Sequence, residues 1–482
     1  MQIATTSRIL GLLLMLLSLT FVPPLMVEQW YQDGYLLPYF IPFTFTLGIG
    51  FLLWFISKDH KTALRTHDGF LIVVLFWLTA CFVGALPLCL TFVPKLSFTD
   101  AFFESVSGFT TTGATILTNL DQLPHSILYY RQQLQFLGGI SIILLAVAII
   151  PTLGIGGMQL FRTEISGPVK DDKLTPRITQ TAKVIWGVYV TLIGLCALSY
   201  WLAGMSLFDA IGHSFSTVST GGFSTHDESF GYFSSPNIKL IAIVFMFIGA
   251  INFNLHFLVF KRKMFRVYFQ DPELRFFTRL FIYSIAIVLI ALLVYGAHKH
   301  SPILAFDAFF EICSLLTTTG FNATNIPFPG FIPIMLLFLG IIGGCSGSTA
   351  GGLKAVRVLL LQKQGTREIR RLIHPHGQYA VKLGDKPIGP RVIEAIWGFF
   401  AIYFVVFILL LLMLLAVEED FYSVFTALVA TLSNSGRGLG NVAVNFSSLS
   451  DYAKWILNFA MLAGRLEIFT ILVLFSPTFW RR

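Results

Sequence analysis

Charge is scarce in this chain. Asp, Glu, Lys and Arg make up 12% of its 482 residues, about half the roughly 25% usual in soluble globular proteins. Cysteine is scarcer still: Cys81, Cys89, Cys196, Cys313 and Cys345 stand singly in or beside apolar runs. They lack zinc-ligand spacing, suggest no disulfide framework, and read as small buried apolar residues. No nucleophile–base pair or paired-carboxylate constellation occurs at a position that would meet water, so an enzyme reading has little support. No basic, aromatic-interleaved soluble domain is present to support nucleic-acid binding.

What the chain has instead is apolar length. It is 55% hydrophobic with 49 phenylalanines and a mean hydropathy of +0.76. Ten stretches, near 8–27, 36–57, 70–94, 128–153, 184–204, 236–260, 276–296, 331–361, 392–416 and 452–476, approach the ~20 residues a helix needs to cross a bilayer core. The first follows Arg8 but is succeeded by "FVPPLM" and no small-x-small cleavage site, so it reads as a retained span.

The net charge of +8 is unevenly placed. Most Lys and Arg fall in 58–68, 162–183, 261–279 and 354–391. The last holds Lys354, Arg357, Lys363, Arg367, Arg370, Arg371, Lys382, Lys386 and Arg391 against Glu368 and Asp385. The intervening segments "VEQWYQDGY" (27–35), "HDES" (226–229) and "EED" (418–420) are poor in basic residues. The positive-inside rule puts the basic side in the cytoplasm. Ten spans then place both termini there.

Four polar, glycine-bearing stretches recur about a hundred residues apart: "FTTTGAT" (109–115), "STGGFST" (219–225), "TTTGFNAT" (317–324) and "SNSGRGLG" (433–440). Without gaps, "FTDAFFESVSGFTTTGA" (98–114) lies over "LFDAIGHSFSTVSTGGF" (207–223) and "AFDAFFEICSLLTTTGF" (305–321), with "FYSVFTALVATLSNSGR" (421–437) as a looser fourth copy. Each unit reads as long apolar helix, short helix, glycine loop, long apolar helix. Asp100, Asp209 and Asp307 open three short helices, where a carboxylate can satisfy free N–H groups; Ser423 takes that place in the fourth. His213, Glu104 and Glu311 lie further along and should anchor them. A helix of about twelve residues rises only ~18 Å, so it must enter the membrane and turn back. Its polar return loop then needs a watery cavity.

Four such loops around one axis make a pore. Helix C-termini aimed inward favour a cation, and loop carbonyls can replace its water. The candidate filter residues are Thr111, Thr112 and Gly113; Thr220, Gly221 and Gly222; Thr318, Thr319 and Gly320; and Asn434, Ser435 and Gly436. Whether Gly221 or Gly222 matches the other glycines rests on the ungapped register. Neutral oxygens suit a weakly hydrated monovalent ion such as K⁺, because Ca²⁺ or Mg²⁺ would call for carboxylates.

At these loops, with "LAVAIIPTLGIGGMQLFRTE" (145–164), "IGGCSGSTAGGLKAVRVLLL" (342–361), "AGRLEIFTILVLFSPTFW" (463–480) and two extra leading spans, the chain resembles the Trk/Ktr/HKT superfamily, and within it the bacterial Trk-type potassium uptake subunits. The resemblance implies an all-α polytopic membrane protein: two N-terminal spans (1–68) and four helix–pore-helix–helix repeats (69–170, 171–270, 271–375 with a gating loop, and 376–482) in pseudo-fourfold arrangement around one pore. It implies a homodimer in the bacterial inner membrane, taking up K⁺, with Rb⁺ passing and Na⁺ passing less well. The cytoplasmic partner would be a TrkA-type ring binding NAD(H) and adenine nucleotides, with no cofactor on this chain. In the superfamily a serine in place of the first filter glycine goes with sodium transport; Gly113 stands there. The chain departs from the family at the fourth loop, where Arg437 replaces the usual proline. Its guanidinium either points into the pore mouth or swings outward to Glu418, Glu419 or Asp420.

Two elements lie below the loops. "GIIGGCSGSTAGG" (340–352) should break its span, since glycine costs ~1 kcal/mol per residue inside a helix. The resemblance makes Gly343, Gly344, Cys345, Ser346, Gly347, Ser348, Thr349, Ala350, Gly351 and Gly352 an intramembrane gate; the plain alternative is tight small-residue helix packing. The stretch is no phosphate loop, lacking a Gly-Lys-Ser/Thr ending. Arg465, deep in the last span, is a functional candidate, either projecting into the path as an electrostatic barrier or pairing with another helix. Asn252, Asn254 and His256 should bond neighbouring helices. A coupled symporter (K⁺ with H⁺ or Na⁺) is the competing reading, with Glu467 its one deep carboxylate. A non-conducting sensor would have no need of four oxygen-lined loops.

Overall fold

The computed structural model describes residues 3–59, 66–144, 174–296, 304–324 and 328–480. The 145–164 motif and parts of the basic segments 58–68 and 162–183 lie outside them. Two leading helices, α1 (Ile3–Ser18), which continues through a 3₁₀ turn into α2 (Val22–Tyr31), and α3 (Leu36–Ser57), pack at Gly11 and Gly50. A Cβ on either glycine would come closer than 3.0 Å to the other's carbonyl oxygen. Small residues let the two backbones approach where hydrophobicity gives no drive.

The four repeats follow. Their first long helices are α4 (Thr66–Leu90), α7 (Leu174–Leu202), α12 (Pro272–Val294) and α16 (Pro390–Leu415). The short helices are α5 (Phe98–Phe109), α8 (Leu207–Val218), α13 (Leu304–Leu316) and α17 (Phe421–Leu432). Among the described residues, six helices are long and apolar enough to cross a membrane singly, and bent pairs could supply two more spans. Large apolar side chains such as Phe45, Phe51, Phe55, Phe404 and Leu409 are exposed, as a lipid-facing surface requires.

Three of the second long helices do not run straight. In repeat one, α6 (His125–Leu144) is described only to Leu144. Repeat two bends by 90° between α9 (Pro236–Gly249) and α10 (Phe253–Arg262), with α11 (Arg266–Gln270) after it. Repeat three stops at α14 (Ile332–Ile342) and resumes at α15 (Ala355–Ile373), the break its glycines predict. Repeat four bends by 114° between α18 (Asp451–Arg465) and α19 (Phe469–Phe475), ahead of α20 (Pro477–Trp480). The spans expected at 236–260 and 452–476 are therefore broken ones. Hydropathy registers apolar content and is blind to a change of backbone direction at Asn252, which caps α10, or at Glu467 and Ile468, both with positive φ.

Three of the short helices, the first, second and fourth, are capped one turn earlier than expected. Ser97 and Ser206 accept from the Asp100 and Asp209 backbone N–H groups and donate to those carboxylates, a reciprocal box. In the fourth, Asp420 accepts from Tyr422 N, and Ser423 donates to Asp420. The carboxylates are left to join repeats. Lys454 on α18 reaches Asp100 at 2.7 Å, and Lys239 on α9 reaches Asp307 at 2.8 Å. These lysines hold equivalent places, so even-numbered repeats supply cations to odd-numbered ones and a twofold pattern sits inside the fourfold.

Each second helix carries a glycine against the end of its own short helix, a feature the sequence reading did not single out. A Cβ on Gly138, Gly249 or Gly464 would come closer than 3.0 Å to the carbonyl oxygen of Phe109, Val218 or Leu432, and one on Gly340 would lie 3.5 Å from that of Leu315. The substitution Gly138→Val should overpack this seam and cost about 1–3 kcal/mol, read as a lowered unfolding midpoint in detergent; Gly187→Val on lipid-facing α7, where a Cβ meets nothing within 4 Å, should leave it unchanged.

Candidate functional site

All four glycine loops take one backbone course. Thr111, Thr220, Thr318 and Asn434 have φ of 50°, 53°, 54° and 54°, and two residues on Gly113, Gly222, Gly320 and Gly436 have φ of 85°, 84°, 82° and 68°. The left-handed region costs a side-chain-bearing residue roughly 1–2 kcal/mol, so four such residues in register mark strain held at a site. Left-handed residues alternating with ordinary ones turn successive carbonyls to one side and N–H groups to the other. The N–H groups bond back to the short helix: Thr112 to Ser107 O (2.9 Å), Gly221 to Ser216 O (2.8 Å), Thr319 to Ser314 O (2.7 Å) and Ser435 to Ala430 O (2.8 Å).

The loops close on one another. A Cβ on Gly113 would come closer than 3.0 Å to the carbonyl oxygen of Gly221, one on Gly222 to that of Thr319, one on Gly320 to that of Ser435, and one on Gly436 to that of Thr112. The cycle returns to its start, a closed ring of four. It also decides the register in repeat two: Gly222 is the counterpart of Gly113, Gly320 and Gly436, while Gly221 matches Thr112, Thr319 and Ser435.

Those counterparts carry hydroxyls that pair behind the loops, Thr110 with Thr112 (2.7 Å), Thr317 with Thr319 (2.8 Å) and Ser433 with Ser435 (3.0 Å). Gly221 has none. Gln135 of α6 fills the gap: its Nε2 donates to Gly221 O at 2.6 Å and its Oε1 accepts from Phe223 N at 3.1 Å. The ring is thus chemically fourfold only when Gln135 is counted, and the loop sequence alone gives no sign of it. Further out, Glu104 binds Thr115, Ile116 N and buried Arg131 (2.6 Å), and His213 meets Ser224 Oγ at 3.0 Å. Glu311 accepts from Ala323 N at 2.9 Å. All three tie the short helix to the segment that leaves the loop, as expected of anchors.

Beneath the ring, residues 343–354 fold as a buried loop rather than as helix packing. Thr349 Oγ1 donates toward Val218 O and Gly249 O, both at 3.0 Å. Gly351 N reaches Thr318 Oγ1 at 2.6 Å, and Gly352 N reaches Ser433 O at 2.9 Å. Repeats two, three and four therefore all hold it. Cys345 N bonds Ala250 O, Ser346 N bonds Glu273 Oε1 at 2.6 Å, and Ser348 bonds Cys345 O. Gly347 O accepts from Phe253 N at 3.0 Å. Gly343, Gly344 and Ala350 pack where the loop crosses itself. Buried Lys354 bonds Ala350 O. Arg465, the last residue of α18, donates from Nη1 to Thr349 O at 2.8 Å, while its Nε and Nη2 have no hydrogen-bond partner among the described residues. Glu467 pairs with Arg357 at 2.5 Å. His256 bonds Tyr268 and Ile248 O, joining the α9–α10 bend to α11.

Arg437 corrects the expectation. It pairs with Glu311 on the third short helix, not with the carboxylates at 418–420. Asp420 is taken up by Ser423 and Asn441, and Glu418 by Ser450 N.

The chain is matched among known proteins along its whole length. Residues 38–482 match the family model of TrkH, described as cation transport protein. The chain belongs to that family. It is 50% identical over 100% of both chains to the Trk system potassium uptake protein TrkH of Escherichia coli K12, and 51% identical, again over 100% of both, to that of Vibrio parahaemolyticus. The crystal structure of the potassium transporter TrkH from Vibrio parahaemolyticus superposes with a TM-score of 0.93 at 48% identity, covering 100% of each chain. With these relatives and its apolar helices, the chain is a multi-pass membrane protein.

Replacing Gln135 with leucine removes a donor and an acceptor from buried backbone, at about 1–3 kcal/mol for each group left unsatisfied. The Gln135→Leu variant should unfold at lower temperature than wild type and lose much of any stabilisation by added K⁺, measured by thermal melts across K⁺ and Na⁺ series.

Proposed function

We propose that the chain is the potassium-conducting subunit of a Trk-type uptake system, passing K⁺ down its gradient through the four-loop ring. The observation that carries this reading is the closed cycle of Gly113, Gly222, Gly320 and Gly436, each against a neighbouring carbonyl. It presents backbone oxygens and no carboxylate where the four loops meet, the chemistry that replaces water around a weakly hydrated monovalent ion. The short helices, ending at the ring, add their negative C-terminal poles. Relatives at about half identity are potassium uptake proteins by name, which favours the same ion here.

In this reading residues 343–352 are the gate and Arg465 its electrostatic latch, its guanidinium holding the loop at Thr349 O. The symport reading needs a free carboxylate in the path. Glu467, its candidate, is engaged by Arg357, which favours a passive pore. The basic segment 354–391 faces the cytoplasm by the positive-inside rule, placing both termini there and the short helices at the outer face of the inner membrane. Opening is regulated from the cytoplasm by a TrkA-type ring that carries the NAD(H) and adenine nucleotides, this chain holding no cofactor, and two copies assemble with one pore each. Those last assignments rest on the family resemblance.

The test is flux of K⁺, Rb⁺ and Na⁺ from liposomes holding the purified chain, with a pH dye inside. Fast K⁺ and Rb⁺ flux, slower Na⁺ flux and no proton movement beyond charge compensation are expected; proton or Na⁺ entry locked to K⁺ would overturn the pore in favour of symport. In the same assay Gly113→Ser, which forces a Cβ against Gly221 O, should lower the K⁺/Na⁺ ratio ~10-fold, equivalent to about 1.4 kcal/mol. Thr349→Val, which removes the hydroxyl held by Val218 O and Gly249 O, should raise basal K⁺ flux and leave that ratio unchanged.

A further inference from the structure

Two buried acids stand behind the ring, yet they are neutralised differently. In repeat one, Glu104 bonds Ile116 N at 3.0 Å and pairs with Arg131 from its own repeat's second helix, both side chains fully buried. In repeat three, Glu311 makes the matching bond to Ala323 N at 2.9 Å and its side chain is just as buried. Its own second helix, IPIMLLFLGII over Ile332–Ile342, contains no cation. The countercharge arrives from repeat four, as the Nη1 of Arg437. Arg437 directly follows Gly436, and its backbone N lies 4.0 Å from where a Gly320 Cβ would be. The ion pair therefore crosses the seam at which loops three and four meet.

The other seams carry their ion pairs on residues outside the filter loops, Lys454–Asp100, Lys239–Asp307 and His226–Asp121, and are crossed by hydrogen bonds as well. Asn434 Nδ2 donates to Thr112 Oγ1 at 2.9 Å between repeats four and one, and Gln135 bonds Gly221 between one and two. Lys239 bonds Ala323 O at 3.0 Å between two and three. A guanidinium carries one planar fork in a defined direction, and a buried carboxylate stripped of its partner is strongly unfavourable. The pair is thus both directional and hard to release.

We propose that Arg437 is a specificity-determining positioning residue: with Glu311 it pins the third loop to the fourth and sets the opening between Gly320 and Gly436, hence discrimination between K⁺ and Na⁺. The inference rests on the reading of the ring as a potassium filter. It assigns Arg437 a role opposite to its naive one, since a cation at the mouth that acted only by charge would repel K⁺ and Na⁺ alike.

The experiment measures K⁺ and Na⁺ flux for the full chain in liposomes, comparing wild type with Arg437→Lys, Arg437→Met, Glu311→Gln and the Glu311→Gln/Arg437→Met double variant. Arg437→Met and Glu311→Gln should each lower the K⁺/Na⁺ ratio ~10-fold, equivalent to about 1.4 kcal/mol. The double variant should be no worse than either single one, and Arg437→Lys should keep part of the ratio. If Arg437→Met fails to fold, the near-isosteric Glu311→Gln and the Lys variant decide the question by the same ratio. An unchanged ratio in the folded variants, or equal rises in both fluxes with Arg437→Met, would overturn the brace and leave Arg437 a mouth charge. A wild-type chain without preference for K⁺ would take down the filter reading itself, and the inference with it.

Discussion

Four glycines meeting four carbonyls around one axis constrain everything else in this chain. A Cβ at Gly113, Gly222, Gly320 or Gly436 would intrude on the neighbouring loop, so these positions admit only glycine while the ring stays closed. Closure also demands the left-handed turn two residues earlier, at Thr111, Thr220, Thr318 and Asn434. That turn is held by N–H bonds back to the short helix, and the short helix by a glycine notch in the next long one at Gly138, Gly249, Gly340 or Gly464. The notch brings the long helix close beneath the ring, and three of those helices bend or stop within a few residues of it.

The breaks connect the ring to what lies below. Because α14 ends at Ile342, its continuation can cross the axis as a loop, and that loop borrows its hydrogen bonds from the three surrounding repeats. Cys345, Ser346, Gly347, Thr349, Gly351 and Gly352 all make hydrogen bonds that attach it, supplemented by Arg465 at the α18 bend. Moving elements are drawn from the low end of local stability, and this one is a loop without helix or strand. The ring above is braced by buried ion pairs and hydrogen bonds from every repeat. A rigid ring over a releasable loop is the division of labour that selection and gating require.

Much of this was legible in the residues. Low charge and long apolar runs specified membrane helices, and the ungapped alignment brought out the four loops with the correct glycine in each. The glycine density of 340–352 marked one helix break correctly. Other features escaped for identifiable reasons. The bends at Asn252 and Glu467 lie inside strongly apolar windows. The serine caps at Ser97 and Ser206 lie one turn before the more conspicuous aspartates. Gln135 and Arg437 act on partners 86 and 126 residues away in the chain, across repeat boundaries that a comparison of repeats cannot join. Arg437 stands out in the sequence as a departure, and the carboxylates near it in the chain are Glu418, Glu419 and Asp420, whereas its partner in the fold, Glu311, lies on another repeat.

The central claim is that carbonyl oxygens of these four loops hold a dehydrated potassium ion on the ring axis. Anomalous diffraction from crystals of the chain grown in Rb⁺ tests it most directly. The account predicts an anomalous peak on the axis at the level of the Thr112, Gly221, Thr319 and Ser435 carbonyls, weakened by competing K⁺ more than by equal Na⁺. Rb⁺ absent from that level and bound instead at carboxylates such as Asp121 or Asp420 would contradict it.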